Sequence, residues 1–194
     1  MQNGERLLDI GCCFGQDIRK IVFDGAPSEN IYGTDLHGGL MDAGYDLFLD
    51  RGTLRSTFVA ADIFEPSSAL TQLEGQMDII YAGSFLHLFD WENQVAVAKR
   101  LSALLRAQKG SLVIGQGFGH LHADLYPVGL DTSRTIFKHN PDSFTRMWKQ
   151  VGEETGSAWR VEAHLEVMNL AGFTKEGQWG DPDSRLLRFS VRRE

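Results

Sequence analysis

The stretch Arg6-Leu7-Leu8-Asp9-Ile10-Gly11-Cys12-Cys13-Phe14-Gly15 decides the fold of this chain. Its first half reads as a short apolar strand, and its second half is a loop with glycine at both ends. After the loop, Ile18, Ile21 and Val22 recur at helical spacing. A strand that passes through a glycine loop into a helix is the first unit of an α/β fold. We therefore predict an open, mostly parallel sheet with helices on both faces.

The rest of the chain continues this alternation of strands and helices. Further strands are predicted at 30–34, 58–61, 77–82 and 111–114, and helices at 38–50, 67–73, 91–109 (with Asp90 as N-cap) and 141–155. Alternating apolar residues at 159–167 and 187–191 predict a closing antiparallel pair. The segment 116–140 is predicted to be an irregular loop on the substrate side. The whole of 1–194 is interpreted as one domain.

Composition limits the classes of function. The chain has 194 residues, 42% of them hydrophobic, and a formal net charge of -7, so a compact globular domain is expected and a nucleic-acid partner is not. No apolar run approaches the roughly 20 residues that cross a bilayer, and no signal peptide is recognisable, which predicts no membrane association and a cytoplasmic location. Cys12 and Cys13 are adjacent and are expected to be reduced thiols.

The glycine loop argues against a dinucleotide cofactor. A Gly-x-Gly-x-x-Gly fingerprint that begins at Gly11 would place glycine at positions that hold Cys13 and Gln16. The middle glycine of that fingerprint allows the backbone to approach a pyrophosphate, so its absence favours a ligand without phosphates. S-adenosylmethionine (SAM) is such a ligand, whereas an NAD-dependent oxidoreductase is only a weaker alternative.

Acidic residues end the first three predicted strands. Asp9 can receive the ammonium group of SAM, Asp35 is placed to accept both ribose hydroxyls, and Asp62 can accept the adenine amino group. Leu36 and Ile63, the next residues along, can cover the adenine ring. Each aspartate alone could be a helix cap or turn former, but the three together favour a SAM site.

At this point the sequence resembles the class I SAM-dependent methyltransferases. The family motifs correspond to Asp9–Gly15, Gly33-Thr34-Asp35, Ala60-Ala61-Asp62 and Asp78-Ile79-Ile80-Tyr81. The segments 81–91 and 140–148 are more specifically similar to fungal methyltransferases that modify meroterpenoids and polyketides. The resemblance implies a Rossmann-like, doubly wound sheet of seven strands in the order 3-2-1-4-5-7-6, the last strand antiparallel. It implies cofactor contacts from Asp9, Gly11, Cys12, Cys13, Gly15, Asp35, Leu36, Asp62, Ile63, Gly83 and Ser84.

The implied reaction is O-methylation of a hydroxyl or carboxylate on a small apolar secondary metabolite. His87 follows the fourth strand and is the candidate base for a hydroxyl acceptor, with Asp90 to orient it; a carboxylate would need no base. Alternatively, His87 packs under the cofactor or caps the next helix. The candidate acceptor-binding residues are Phe85, Phe89, Trp91, Tyr126, Phe137 and Arg146.

Two further features leave alternatives open. His120, His122 and Asp124 form only a weak metal pattern, so no metal is predicted, and Lys138, His139 and Arg146 either meet an acceptor carboxylate or are solvated surface charge. The family usually has helices before the first strand that cap the substrate pocket, and only five residues precede it here. The corresponding expectations are that the chain is a fragment or a shortened protein, that a partner subunit supplies the missing wall, or that it is a SAM-fold binding protein without catalysis. A homodimer is also expected.

Overall fold

The structure is a computed structural model that describes residues 4–128, 131–167 and 181–194. The strands are β1 (Leu7–Ile10), β2 (Ile31–Asp35), β3 (Thr57–Ala60), β4 (Ile79–Gly83), β5 (Leu112–His120), β6 (Asp124–Val128), β7 (Asp131–Lys138), β8 (Trp159–Glu166) and β9 (Ser184–Arg193). The helices are α1 (Gln16–Phe23), α2 (Gly38–Phe48), α3 (Trp91–Leu104) and α4 (Pro141–Thr155). Short 3₁₀ turns lie at Ser28–Asn30, Ala69–Leu73 and Leu86–Leu88.

Seven strands form one sheet in the order β3-β2-β1-β4-β5-β9-β8. Strands β1 to β5 are parallel, and β9 is antiparallel to both β5 and β8. Counted within the sheet alone, this is the predicted order 3-2-1-4-5-7-6, with β8 sixth and β9 seventh in the chain. The predicted fold class is therefore confirmed, and β1 lies between β2 and β4, where the direction of winding reverses.

Apolar side chains on the two faces of the sheet form two clusters. Because successive residues of a strand point to opposite faces, Leu8 packs with α3 and α4 on one side while Leu7 packs with α1 and α2 on the other. All four residues of β1 are buried, as expected for a central parallel strand. Trp148 of α4 is fully buried in the larger cluster. This packing fixes the carboxyl end of β1, from which the glycine loop extends.

Helix α3 begins where the sequence predicts and ends earlier. Asp90 accepts a hydrogen bond from the Asn93 amide at 2.9 Å, which confirms the predicted N-cap. The helix stops at Leu104, so the predicted extension to residue 109 is wrong. Leu105 instead pairs with Met77 as an isolated bridge, and Arg106 reaches the Asp78 carboxylate at 3.0 Å. These tertiary contacts replace the last helical turn.

Most of the described residues in the segment 116–140 lie in strands, whereas its composition predicts an irregular loop. Strand β5 continues to His120, and β6 and β7 form an antiparallel hairpin, named here the β6–β7 hairpin. The glycines that obscured β5 are required by neighbours: a Cβ at Gly117 would lie 2.7 Å from His87 Nδ1, and one at Gly119 would lie 2.7 Å from the His139 carbonyl oxygen. Tertiary crowding at these positions therefore selects glycine.

Candidate active site

The glycine loop between β1 and α1 is held against the end of β2. The amides of Gly11 and Cys12 both donate to the Thr34 carbonyl, at 2.8 and 3.0 Å. Gly11 and Gly15 have φ values of 72° and 70°, in the region that favours glycine. A Cβ at Gly11 would also lie 2.6 Å from the Phe85 ring. Cys13 adopts a φ of 52° although it carries a side chain. The loop is thus thin, and it is anchored beside two strand ends.

Asp35, the last residue of β2, is fixed by the same loop. Its Oδ2 accepts a hydrogen bond from the Cys13 amide at 3.0 Å, and its Oδ1 accepts one from the His37 amide at 3.0 Å. Each carboxylate oxygen can accept a further hydrogen bond. The carboxylate faces the cavity described below. This arrangement fits the predicted contact with two vicinal hydroxyl groups of a ribose.

Asp9 is a buried carboxyl group with an unsatisfied oxygen. The residue is 3% exposed, and its Oδ2 has no hydrogen-bond partner in the described part of the chain. Burial, followed by the negative charges of Asp17 and Asp35, raises the pKa of Asp9 to about 7. A bound cation would satisfy this oxygen and stabilise its ionised form. The observation fits the ammonium group of a methionine moiety.

A cavity of about 760 Å³ lies along the carboxyl ends of the parallel strands. The predicted site residues that line it are Gly11, Asp35, Leu36, Asp62, Ile63, Ser84, Phe85, His87 and Phe89. The sequence interpretation missed other lining residues, among them Thr34, His37, Phe64, Phe118, Arg134 and Ile136. His37 and Phe64 could have been found, because each follows an acidic strand end by two residues. Arg134 and Ile136 could not, because the β6–β7 hairpin was not predicted.

The remaining predicted residues do not line the cavity. Asp9, Cys12, Cys13, Gly15 and Gly83 belong to β1, the glycine loop and β4, which support the cavity. Trp91 packs on Phe137 with ring centroids 5.0 Å apart. The Tyr126 hydroxyl contacts His120 Nδ1 at 2.8 Å, and Arg146 is exposed on α4. Of the residues predicted to bind the acceptor, the structure brings Phe85 and Phe89 into the cavity lining, and Arg134 is the arginine in that lining.

His87 lies on the 3₁₀ turn after β4 and faces the cavity. Burial, together with the positive charge of Lys138, lowers the pKa of His87 to about 4, so its imidazole is neutral near pH 7. The Asp90 carboxylate caps α3, and the described hydrogen bonds do not join it to His87. The ring of Phe118 meets that of His87 edge-on at 4.8 Å. His87 is thus a neutral imidazole in the lining of the cavity.

Three expectations from the sequence concern the cysteines, metal binding and membrane-spanning helices. Cys12 and Cys13 are free thiols, and burial raises the pKa of Cys12. In the part of the chain that the structure describes, no three His, Cys, Asp or Glu side chains are grouped so that they could hold a metal ion. Within the same residues, no helix is both long and apolar enough to traverse a bilayer.

The sheet order, with acids at three strand ends around a glycine loop, defines the class I SAM-dependent methyltransferase fold. A family model described as a methyltransferase domain matches residues 7–108. The chain belongs to this methyltransferase family, and SAM is the cofactor that the class uses. Asp9, Asp35 and Asp62 are the residues of this chain that fit that cofactor.

Similar proteins with curated names show to which group of methyltransferases the chain belongs. The chain is 43% identical to an O-methyltransferase of a fungal species, over 100% of the chain and 68% of the relative. It is 46% identical to an O-methyltransferase of Stereocaulon alpinum, over 97% of the chain but 54% of the relative. The chain thus spans between about half and two thirds of the length of these relatives. Its family is that of fungal secondary-metabolite methyltransferases.

A solved structure agrees on the fold. The 1,6-didemethyltoxoflavin-N1-methyltransferase of Burkholderia thailandensis has a TM-score of 0.69 and 16% identity, over 99% of this chain and 73% of that one. At this identity the likeness concerns the fold alone. The bacterial structure contains S-adenosylhomocysteine together with its small-molecule substrate.

Proposed function

We propose that this protein transfers a methyl group from SAM to an oxygen atom of a small, largely apolar secondary metabolite of the polyketide or meroterpenoid type. One observation carries the proposal: a single cavity is lined by two of the cofactor-binding acids, Asp35 and Asp62, and also by His87, Phe89 and Arg134. Bound SAM supplies an electrophilic methyl group on a sulfonium. The names of the O-methyltransferase relatives support oxygen as the acceptor atom.

The cofactor half of the cavity is assigned residue by residue. Asp35 would hold the ribose hydroxyls. Asp9 is buried on β1 outside the cavity lining, and its unpartnered Oδ2 would hold the ammonium group. Asp62 would accept the adenine amino hydrogen bond while Ile63 and Phe64 cover the ring. Gly11 and Ser84 lie at the inner wall of the cavity, where the loop after β1 faces the end of β4. The protein would thereby position the methyl group and exclude water, which accounts for much of the rate of such a displacement.

Between the two acceptor groups, a carboxylate fits better than a hydroxyl. Arg134 is exposed on β7 and lines the cavity, where its guanidinium group would attract an anionic acceptor. A phenol has a pKa of about 10, and proton transfer from it to a base such as His87 would be unfavourable by roughly 8 kcal/mol. A carboxylate reaches the cavity already ionised and needs no base.

A hydroxyl acceptor is the second candidate. The location of His87 on the turn after β4 favours it, because a neutral imidazole at the acceptor side can take the proton of a hydroxyl. In this case His87 would act as the base that the sequence suggests, and substitution by glutamine would abolish most turnover. With a carboxylate acceptor, the same substitution would be tolerated far better.

Methyl-labelled SAM and paired acceptors test the proposal. An apolar aromatic acid and the corresponding alcohol are incubated with the protein, and labelled products are analysed by mass spectrometry. Carboxylate transfer gives an ester that mild alkali cleaves, whereas hydroxyl transfer gives an ether that resists it. Calorimetry with SAM and NAD is the companion measurement. Binding of NAD without SAM, or SAM binding without any labelled product across an acceptor panel, would contradict the proposed activity.

We propose in addition a cytoplasmic location and a homodimer. The two free, adjacent thiols support a reducing compartment. Phe23, Leu47 and Leu49 expose 85%, 65% and 90% of their surface and provide apolar area for a contact between copies. Light scattering coupled to size-exclusion chromatography distinguishes a dimer from a monomer.

A further inference from the structure

A second, small cavity lies next to His87, between the 3₁₀ turn Leu86–Leu88, β5 and α4. Its volume is about 10 Å³, which is close to the space that one water molecule needs. Three buried polar atoms without a hydrogen-bond partner in the described residues belong to side chains that line it: His87 Nδ1, Gln94 Oε1 and His139 Nε2. Leaving three such atoms unsatisfied would be costly. We propose that this cavity binds one water molecule, which joins His87 to His139 and fixes the position of the proton on His87.

The orientation of Gln94 follows from its backbone contacts. Its Nε2 donates to the Phe89 carbonyl at 2.9 Å and to the Phe137 carbonyl at 2.8 Å. Both amide protons are thereby used, and a flipped amide would place an oxygen against two carbonyl oxygens. Gln94 Oε1 can therefore only accept. One proton of the water is assigned to this atom.

The tautomer of His139 follows from Ser143. Ser143 Oγ accepts from the Asn140 amide at 3.1 Å, and its own proton can go to His139 Nδ1 at 2.8 Å or to the Asn140 carbonyl at 3.0 Å. That carbonyl already accepts from the Phe144 amide at 3.0 Å. We assign the Ser143 proton to the shorter of the two contacts, the one to Nδ1, so that His139 carries its proton on Nε2 and donates it to the water.

The water then has one proton left, and His87 Nδ1 accepts it. His87 consequently carries its own proton on Nε2. Because His87 also lines the large cavity, its Nε2–H becomes a hydrogen-bond donor on the acceptor side. This role rests on the proposed function, whereas the water and the tautomer do not. His139 is in this scheme a positioning residue that acts through the water.

A hydrogen bond donated by His87 Nε2–H is compatible with methyl transfer to a carboxylate acceptor. The Nε2–H of His87 and the guanidinium of Arg134 would hold the carboxylate, one of whose oxygens forms a bond to the methyl carbon as the carbon–sulfur bond breaks. The electron pair of that bond stays on sulfur, and the products are a neutral ester and a neutral thioether. No proton changes place. His87 orients the acceptor without acting as a base.

Two measurements on the unsubstituted protein test the water and the tautomer directly. A high-resolution crystal structure should show a water within hydrogen-bond distance of all three atoms. Nitrogen-15 NMR near pH 7 should show His87 protonated on Nε2 and unprotonated on Nδ1. A dry cavity, or the opposite tautomer of His87, would overturn the inference. Both measurements are independent of turnover, and calorimetry with SAM reports separately whether the proposed function fails.

Substitution of His139 tests the coupling. His139→Phe removes the donor to the water, so His87 should become a mixture of tautomers and kcat should fall about tenfold, the effect of one hydrogen bond of ordinary strength, with KM little changed. His164→Phe is the matched control, because His164 is exposed on β8 and contacts Glu166. An unchanged His87 tautomer in a folded His139→Phe protein would contradict the coupling. If that variant does not fold, the crystal structure and the NMR spectrum of the unsubstituted protein still decide whether the water and the His87 tautomer are as proposed.

Discussion

Asp9 illustrates how one buried carboxyl group makes binding depend on pH. Its folded pKa of about 7 lies above the ordinary value of 3.8. The stabilisation that comes with its protonated form is thus fully present below pH 4 and is lost as the pH rises towards 7. An ammonium group beside it favours the ionised form. Cofactor binding below pH 7 should therefore release a proton.

From this we predict that the affinity for SAM rises between pH 5 and pH 7, by up to about tenfold per pH unit, and levels off above pH 7. Calorimetry in buffers of different ionisation enthalpy measures both affinity and proton release. Asp9→Asn should abolish this dependence and weaken binding at pH 8. Asp17→Asn is the matched comparison: it removes the nearby charge that helps to raise the pKa, so the rise should move to lower pH. A flat profile in the unsubstituted protein would refute the role of Asp9.

Arg134 is the residue whose removal should separate acceptor binding from cofactor binding. It is the arginine in the lining of the large cavity. For an acidic acceptor, Arg134→Ala should raise KM by tenfold or more, since a charged hydrogen bond contributes about 1.5–3 kcal/mol. Arg134→Lys should recover part of the loss, and SAM affinity should not change in either variant.

Steady-state kinetics measures the KM for the acceptor, and calorimetry measures the affinity for SAM. Arg160→Ala serves as the control because it removes the same charge from β8, where Arg160 lies near Glu162 and away from the cavity. Equal effects of Arg134→Ala on acidic and neutral acceptors would show that Arg134 does not recognise a carboxylate.

At the scale of the elements, α2 packs directly against the glycine loop. A Cβ on Gly44 of α2 would lie nearer to the Phe14 carbonyl oxygen than any non-bonded contact allows. The Phe14 carbonyl is also an acceptor for Arg19 Nη1 at 2.6 Å. The helix therefore packs against the loop, and this close approach requires that residue 44 have no side chain.

For this reason Gly44→Ala should destabilise the protein by about 1–3 kcal/mol, as overpacking does, and should weaken SAM binding by shifting the loop. Gly39→Ala is the matched control in the same helix, since its Cβ would meet nothing within 4 Å. It should be neutral or stabilising by no more than about 1 kcal/mol. Urea unfolding and calorimetry measure the two effects. Equal unfolding free energies and equal SAM affinities of the two variants would show that the contact between Gly44 and the loop does not matter.

At the scale of the whole molecule, the cavity lining that comes from the ends of the parallel strands could be predicted, and the lining that comes from the β6–β7 hairpin could not. Asp9, Asp35 and Asp62 follow from a local signal, an apolar strand ending in an acid, combined with the rule that parallel strands end at one edge. Arg134 and Phe118 depend instead on the β6–β7 hairpin and on the glycine-rich end of β5. Those glycines lower strand propensity, and only their neighbours in the fold explain them.

Ligand binding should stabilise the molecule as a unit. A hundredfold excess of SAM over its dissociation constant adds about 2.7 kcal/mol, which for a chain of this size raises Tm by roughly 5–10 °C. Differential scanning fluorimetry with SAM and with NAD makes the comparison, and we expect a shift only with SAM. A larger shift with NAD would revive the dinucleotide alternative.

The β6–β7 hairpin also bears on the choice of acceptor. It is a two-stranded sheet separate from the central one, yet it contributes Val128, Arg134 and Ile136 to the cavity. Mutations in this insert can accumulate without disturbing the donor half, whose residues lie on β1 to β4 and their loops. If the proposed function is correct, substitutions in the hairpin would change which acceptor is bound and would leave the proposed cofactor contacts on β1 to β4 unchanged. The hairpin is therefore the element to vary in order to redirect this protein to a different compound.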